Sequence, residues 1–162
     1  MSMNVVPPVR SNPSASITEQ MLVEHQILRH IMESLRTVVG WSPSAEGGTR
    51  KVSSLRFIVS SLQRHLEYLL RLEEEDGYMW QLAKTRPHLT HRVSKLRDQH
   101  DNFREVLGQA VSDIDRISTC DDGPGLLLCR NLIGLLDELE AHSDEEIRLV
   151  QDAFLRDEGG EG

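Results

Sequence analysis

Aromatic residues make up only 4% of this 162-residue chain, and cysteine occurs twice. Cys120 and Cys129 cannot build a disulfide framework, so they read as reduced thiols of a cytoplasmic protein. Long apolar runs are missing as well. The longest candidate, Leu126 to Leu136, is broken by Arg130 and Asn131 and falls short of the roughly 18 apolar residues that a membrane-spanning helix needs. Basic residues are the minority, 18 against 26 acidic ones, for a formal charge of -8. That balance repels phosphate backbones and anionic bilayers, so neither nucleic acid nor membrane is expected as a partner. No basic segment followed by an apolar one opens the chain, and no signal peptide is expected. A phosphate loop, a dinucleotide fingerprint and a serine or cysteine nucleophile constellation are all lacking, so nothing marks the chain as an enzyme.

What is present is four long stretches of helical period. Residues 1 to 15, with Pro7, Pro8 and Pro13, show no apolar period and read as a mobile arm. Ser16 and Glu19 form a capping box that predicts a first helix from Ser16 to about Val39, stopped by Gly40. Residues 40 to 49 are loop by composition. A second helix is expected from about Arg50 to Thr85, with Gly77 as a candidate bend, and a third from Pro87 to about Ile117. After a turn over Ser118 to Gly125, a fourth runs from about Leu126 to Arg156, and residues 158 to 162 form a loose tail. No strand pattern competes. Four long helices with short connections predict an all-α, antiparallel up-down-up-down four-helix bundle over residues 16 to 157.

Each helix must then bury one stripe of residues spaced by three or four. The first stripe is Met21, His25, Leu28, Met32, Leu35 and Val39; the second is Leu62, Leu66, Leu69, Glu73, Asp76 and Trp80. The third runs Val93, Leu96, His100, Phe103, Leu107, Ala110, Ile114 and Ile117, and the fourth Leu128, Leu132, Leu135, Leu139, His142, Glu146, Leu149 and Ala153. Otherwise apolar seams therefore carry His25, Glu73, His100, His142 and Glu146. At about 1.5 Å per residue all five fall roughly 14 to 22 Å from the same end of the bundle, so antiparallel packing brings them to one layer. Isolated carboxylates are costly in a core unless paired, protonated or bound to metal. Three imidazoles and two carboxylates at one depth suit iron or manganese; the competing reading is a hydrogen-bonded polar layer without a metal. Of Glu73, Glu74, Glu75 and Asp76, only Glu73 shares the seam of Leu66 and Leu69, and the rest read as a solvated face. His30, His88 and His91 fall off the stripes, and His65 borders one. Trp41, Trp80, Tyr68 and Tyr78 read as packing residues.

The segments Glu24-His25-Gln26, Leu72 to Tyr78, Leu96 to His100 and His142 to Glu146, in that order on four helices, resemble the hemerythrin-like family, the HHE cation-binding domain. The resemblance implies an antiparallel four-helix bundle around a non-haem di-iron centre. The family pattern is a histidine on the first helix, His-x-x-x-Glu on the second, a histidine on the third and His-x-x-x-Glu on the fourth. Carried over, His25, His100 and His142 match the histidine ligands, and Glu73 and Glu146 match the bridging carboxylates. One ligand is missing: the second-helix histidine belongs four residues before Glu73, where this chain has Leu69. One iron position then keeps His100, His142 and both carboxylates, while the other keeps His25 and shared carboxylates. His65 compensates only if the second helix shifts by about a turn. Ferritin-like bundles use Glu-x-x-His, and none of the seven histidines here has a glutamate three residues earlier.

The resemblance implies a cofactor of one or two non-haem iron ions and a small diatomic or peroxide partner, which the protein binds or senses (O2, NO or peroxide). The rival expectation is a structural or interaction bundle with a vestigial, metal-free layer. A charged outer face, with Arg64, Glu67, Arg71, Lys95, Arg104 and Glu138, points to a monomer.

Overall fold

The computed structural model describes residues 13–75 and 78–155. Helix α1 spans Pro13–Gly40, α2 Gly48–Glu75, α3 Tyr78–Thr85, α4 Thr90–Ile114 and α5 Gly123–Leu155. Single 3₁₀ turns, Ala45–Gly47 and Pro87–Leu89, precede α2 and α4. There is no strand among the described residues. Helix α1 packs on α2 and α5, and α4 packs on the same two from the other side, with α3 against α4 and α2.

Cross-helix bonds give the directions. Arg29 pairs with Asp144 and Arg36 with Asp137, so α1 and α5 run oppositely. Arg56 meets Asp115 while Glu67 meets Arg104, which sets α2 against α4. Arg92 holds Asp152 and Gln99 holds His142, which does the same for α4 and α5. The result is the expected antiparallel four-helix arrangement.

Helix ends depart from the expected limits for local reasons. Helix α1 starts at Pro13, three residues before Ser16, because a proline in the first turn loses no helical hydrogen bond. The expected mobile arm therefore falls outside the described residues except for 13 to 15, which are helical, and the tail from 158 lies outside them entirely. Helix α5 starts at Gly123 because Asp122 caps it: the Gly125 amide donates to Asp122 Oδ1 at 3.2 Å, and Pro124 sits in the first turn. Carbonyls at the C-terminal end of α1 and just beyond it find an unusual partner. Lys51 is buried, and its Nζ donates to Val39 O at 2.8 Å and Trp41 O at 2.7 Å.

The predicted stripes are buried almost throughout. Trp80 departs most, with 58% of its surface exposed, while Met79 and Leu82 turn inward, and Val39 at the end of α1 is half-buried. Helix α3 is a separate helix whose phase differs by about one residue from a continuation of α2, which moves Trp80 off the seam. Asp76 and Gly77, the expected stripe position and bend, lie outside the described residues. Trp41 and Tyr68 are exposed by 40% and 47%, so they are not core residues either. Ile117 lies beyond α4 and is half-buried.

The core comes in two parts. A large one contains Leu35, Leu55, Leu62, Phe103, Leu107 and Leu136, among others. A small one holds Met21, Met79, Leu82, Leu89, Val93, Leu96, Leu149 and Ala153. By sequence position on α1, α4 and α5, the buried polar residues His25, His100, His142, Ser143 and Glu146 fall between the two parts, and Glu73 ends the stripe of α2 beside them.

The turn into α5 is tightly packed. A Cβ at Gly125 would overlap the Thr119 carbonyl oxygen and come within 2.6 Å of the Cys120 Cα. Gly125→Ala should therefore destabilise by about 1–3 kcal/mol, lowering the thermal midpoint by roughly 2–4 °C per kcal/mol. An unchanged midpoint would show that the turn yields.

Candidate metal centre

Helix phase brings the five predicted residues together. His25 comes from α1, Glu73 from the last turn of α2, His100 from α4, and His142 and Glu146 from one face of α5. Each is 6% exposed or less. The four residues Glu73, His100, His142 and Glu146 offer one ligand atom each, all within 4.8 Å of one another. His25 stands on the other side of the carboxylates, its Nε2 3.6 Å from Glu73 Oε1 and 3.1 Å from Glu146 Oε2. The other two histidines each face one carboxylate: His100 Nε2 is 3.3 Å from Glu73 Oε2, and His142 Nε2 is 3.2 Å from Glu146 Oε1.

The outward ring nitrogens are all engaged. His100 Nδ1 lies 2.9 Å from Glu74 Oε1, His142 Nδ1 2.7 Å from Gln99 Oε1, and His25 Nδ1 2.6 Å from Ser143 Oγ. Glu74 is held in the carboxylate form by its bond with Arg104, which lowers its pKa against a smaller opposing effect of burial. A carboxylate only accepts, so His100 Nδ1 is the donor and Nε2 carries the lone pair that faces inward. Burial also lowers the pKa of His100, outweighing Glu74, which favours the neutral ring that a metal requires.

The inward atoms are a different matter. His25 Nε2, His100 Nε2, His142 Nε2 and all four oxygens of Glu73 and Glu146 are buried with no hydrogen-bond partner. The short ion-pair distances do not meet hydrogen-bond geometry. Buried polar groups are almost always satisfied, so seven orphans converging on one spot is the donor set a cation would complete.

Without a cation the pKa values of the two carboxyls are pushed in opposite directions. Burial, then the charge of Glu146, raises the pKa of Glu73 well above the carboxylate range. For Glu146 burial acts in the same direction, but polar contacts with His142 and His25 overcome it and hold the group far below that range.

The missing histidine has left no gap. Leu69, one turn before Glu73, is buried in the large core. His65 does not reach the layer; its Nε2 donates to the Glu24 carbonyl oxygen at 3.0 Å. His30, His88 and His91 are exposed.

Glu74, Gln99 and Ser143 were not singled out by the stripes. Glu74 in particular belongs to the run read as a solvated face, yet it holds His100. The available signal was adjacency: each stands next in sequence to a residue of the layer.

The raised pKa of Glu73 carries a pH sign. A group whose folded-state pKa is raised favours the fold most below its ordinary range, and that contribution is lost as pH rises through the folded value. In the presence of a chelator, Glu73→Gln should therefore melt above wild type at pH 8, with the gap shrinking towards pH 5. A constant gap, or a wild type that melts higher at pH 8, would contradict the buried protonated carboxyl.

Residues 16–154 match the hemerythrin HHE cation binding domain. No curated protein and no solved structure matches the chain. The match takes in every helix that contributes to the layer, and the chain belongs to the hemerythrin HHE cation-binding family.

Proposed function

We propose that this protein binds non-haem iron in its buried layer and presents it to a small diatomic or peroxide ligand, for binding or sensing rather than turnover. The observation that carries the reading is the set of seven orphaned donor atoms, all aimed at one place between the two cores. Their chemistry, imidazole nitrogen with carboxylate oxygen, suits iron. His100, His142, Glu73 and Glu146 would hold the first ion; His25, with the shared carboxylates, would hold a second more weakly because Leu69 supplies no donor. Bound iron would supply a redox-active centre able to take a small ligand. The protein's own part is to orient three imidazoles through Glu74, Gln99 and Ser143, and to keep bulk water out with apolar packing on both sides. No helix among the described residues is long and apolar enough to cross a membrane.

The rival reading is an interaction bundle with a metal-free layer. It draws on Leu69, which supplies no donor, and on the opposite directions in which the pKa values of Glu73 and Glu146 are pushed when no cation is bound.

Protein purified from iron-supplied cells separates the two. The metal reading expects about one iron per chain with a ligand-to-metal absorption band. Iron at a hundred times its Kd should stabilise by about 2.7 kcal/mol, roughly 5–10 °C in the thermal midpoint. His142→Ala should abolish both signals. Leu69→His should raise the content towards two. Colourless, iron-free protein whose melting ignores added Fe(II) would favour the rival.

A further inference from the structure

The three imidazoles of the layer are gripped from outside by unlike groups. His142 leans on an amide and His25 on a hydroxyl, both neutral. His100 alone among the three leans on a carboxylate, that of Glu74. The carboxylate is itself fixed. Arg104 Nη1 donates to Glu74 Oε1 and Nη2 to Oε2, each at 2.9 Å, a two-pronged arrangement that sets both position and plane. Arg104 is steadied in turn by Glu67, whose Oε2 accepts from Nε at 2.9 Å. Glu74 and Arg104 also line a surface cleft of about 480 Å3 beside Trp80 and Arg97. One carboxylate thus faces solvent on one side and a buried imidazole on the other.

We propose that Glu74 is a positioning residue for the metal centre: clamped by Arg104, it fixes the Nδ1–H tautomer of His100 and strengthens Nε2 as a donor, making His100 the anchor of the first ion. The inference rests on the metal reading above. Its physical basis is polarisation. A cation on Nε2 draws electron density from the ring and makes Nδ1–H more acidic. A negative acceptor 2.9 Å away stabilises that state more than a neutral amide or hydroxyl does. The ligand strengths in the layer are therefore unequal by construction, and the strongest one is wired to the surface.

The test is titration of the full chain with Co(II), followed by visible absorption, for wild type, Glu74→Gln and Glu145→Gln. Glutamine keeps an acceptor oxygen at each position but removes the charge, and metal-free melts check that both variants are folded. Glu145 is a matched control: it pairs with Arg92 across α4 and α5 at 2.7 Å and neighbours Glu146, and its hydrogen bond is with a guanidinium in place of an imidazole. Glu74→Gln is expected to weaken Co(II) binding about 10- to 100-fold and to shift the band. Glu145→Gln is expected to stay within about twofold of wild type, as for an ordinary surface pair. Wild-type affinity in Glu74→Gln overturns the positioning role and leaves the metal reading standing. Equal weakening in both variants also overturns it, because the effect is then general charge. A wild type that takes up no Co(II) overturns the metal reading and this inference together.

Discussion

Burying two carboxyls and three imidazoles in the middle of an apolar bundle is the constraint to which the rest of the structure answers. A carboxylate leaving water loses hydration worth several kcal/mol, and a neighbouring carboxylate makes it worse. The fold meets that demand from several directions at once. His25 and His142 press polar edges towards Glu146, while burial and the charge of Glu146 push the pKa of Glu73 up. The outward nitrogens are tied off, so the free lone pairs and oxygens face the same point. Apolar residues of the two cores flank the layer along α1, α4 and α5, and every residue of it is 6% exposed or less.

A simple rule runs round the layer. Ser143, beside His142 on α5, holds His25 of α1. Glu24, beside His25 on α1, holds His65 of α2. Glu74, beside Glu73 on α2, holds His100 of α4, and Gln99, beside His100 on α4, holds His142 of α5. Each helix lends the sequence neighbour of an inward-facing residue to the helix next door. The support survives on α2 even though the ligand position there is Leu69, because the histidine it serves stands a turn earlier.

This circulation also explains how much could be read in advance. Periodicity of three and four fixes a face, and a face is all that bundle packing needs. Leu28, Phe103, Leu107 and Leu139 therefore announce the core, and His25, Glu73, His100, His142 and Glu146 announce the layer by interrupting it. The supporting residues lie about 100° away from the seam, where a charge ordinarily meets water. Glu74 looks like its exposed neighbour Glu75 in a sequence and differs only in having Arg104 and His100 opposite it. Trp80 was misplaced for a related cause: α3 restarts the helical phase, and periodicity carried across from α2 points to the wrong residue. Asp122 as the cap of α5 was hidden by two glycines and a proline, which read as turn when taken without their partners.

The small core has a consequence for how the molecule breathes. It is assembled from the start of α1, the end of α5, α3 and the beginning of α4, and shares none of its buried residues with the large one. Stability in such a chain is divided into cooperative units that open with different free energies. The polar layer lies between the two cores along α1, α4 and α5. Undocking the residues of the small core would hydrate the imidazoles and carboxyls without disturbing any buried residue of the large one.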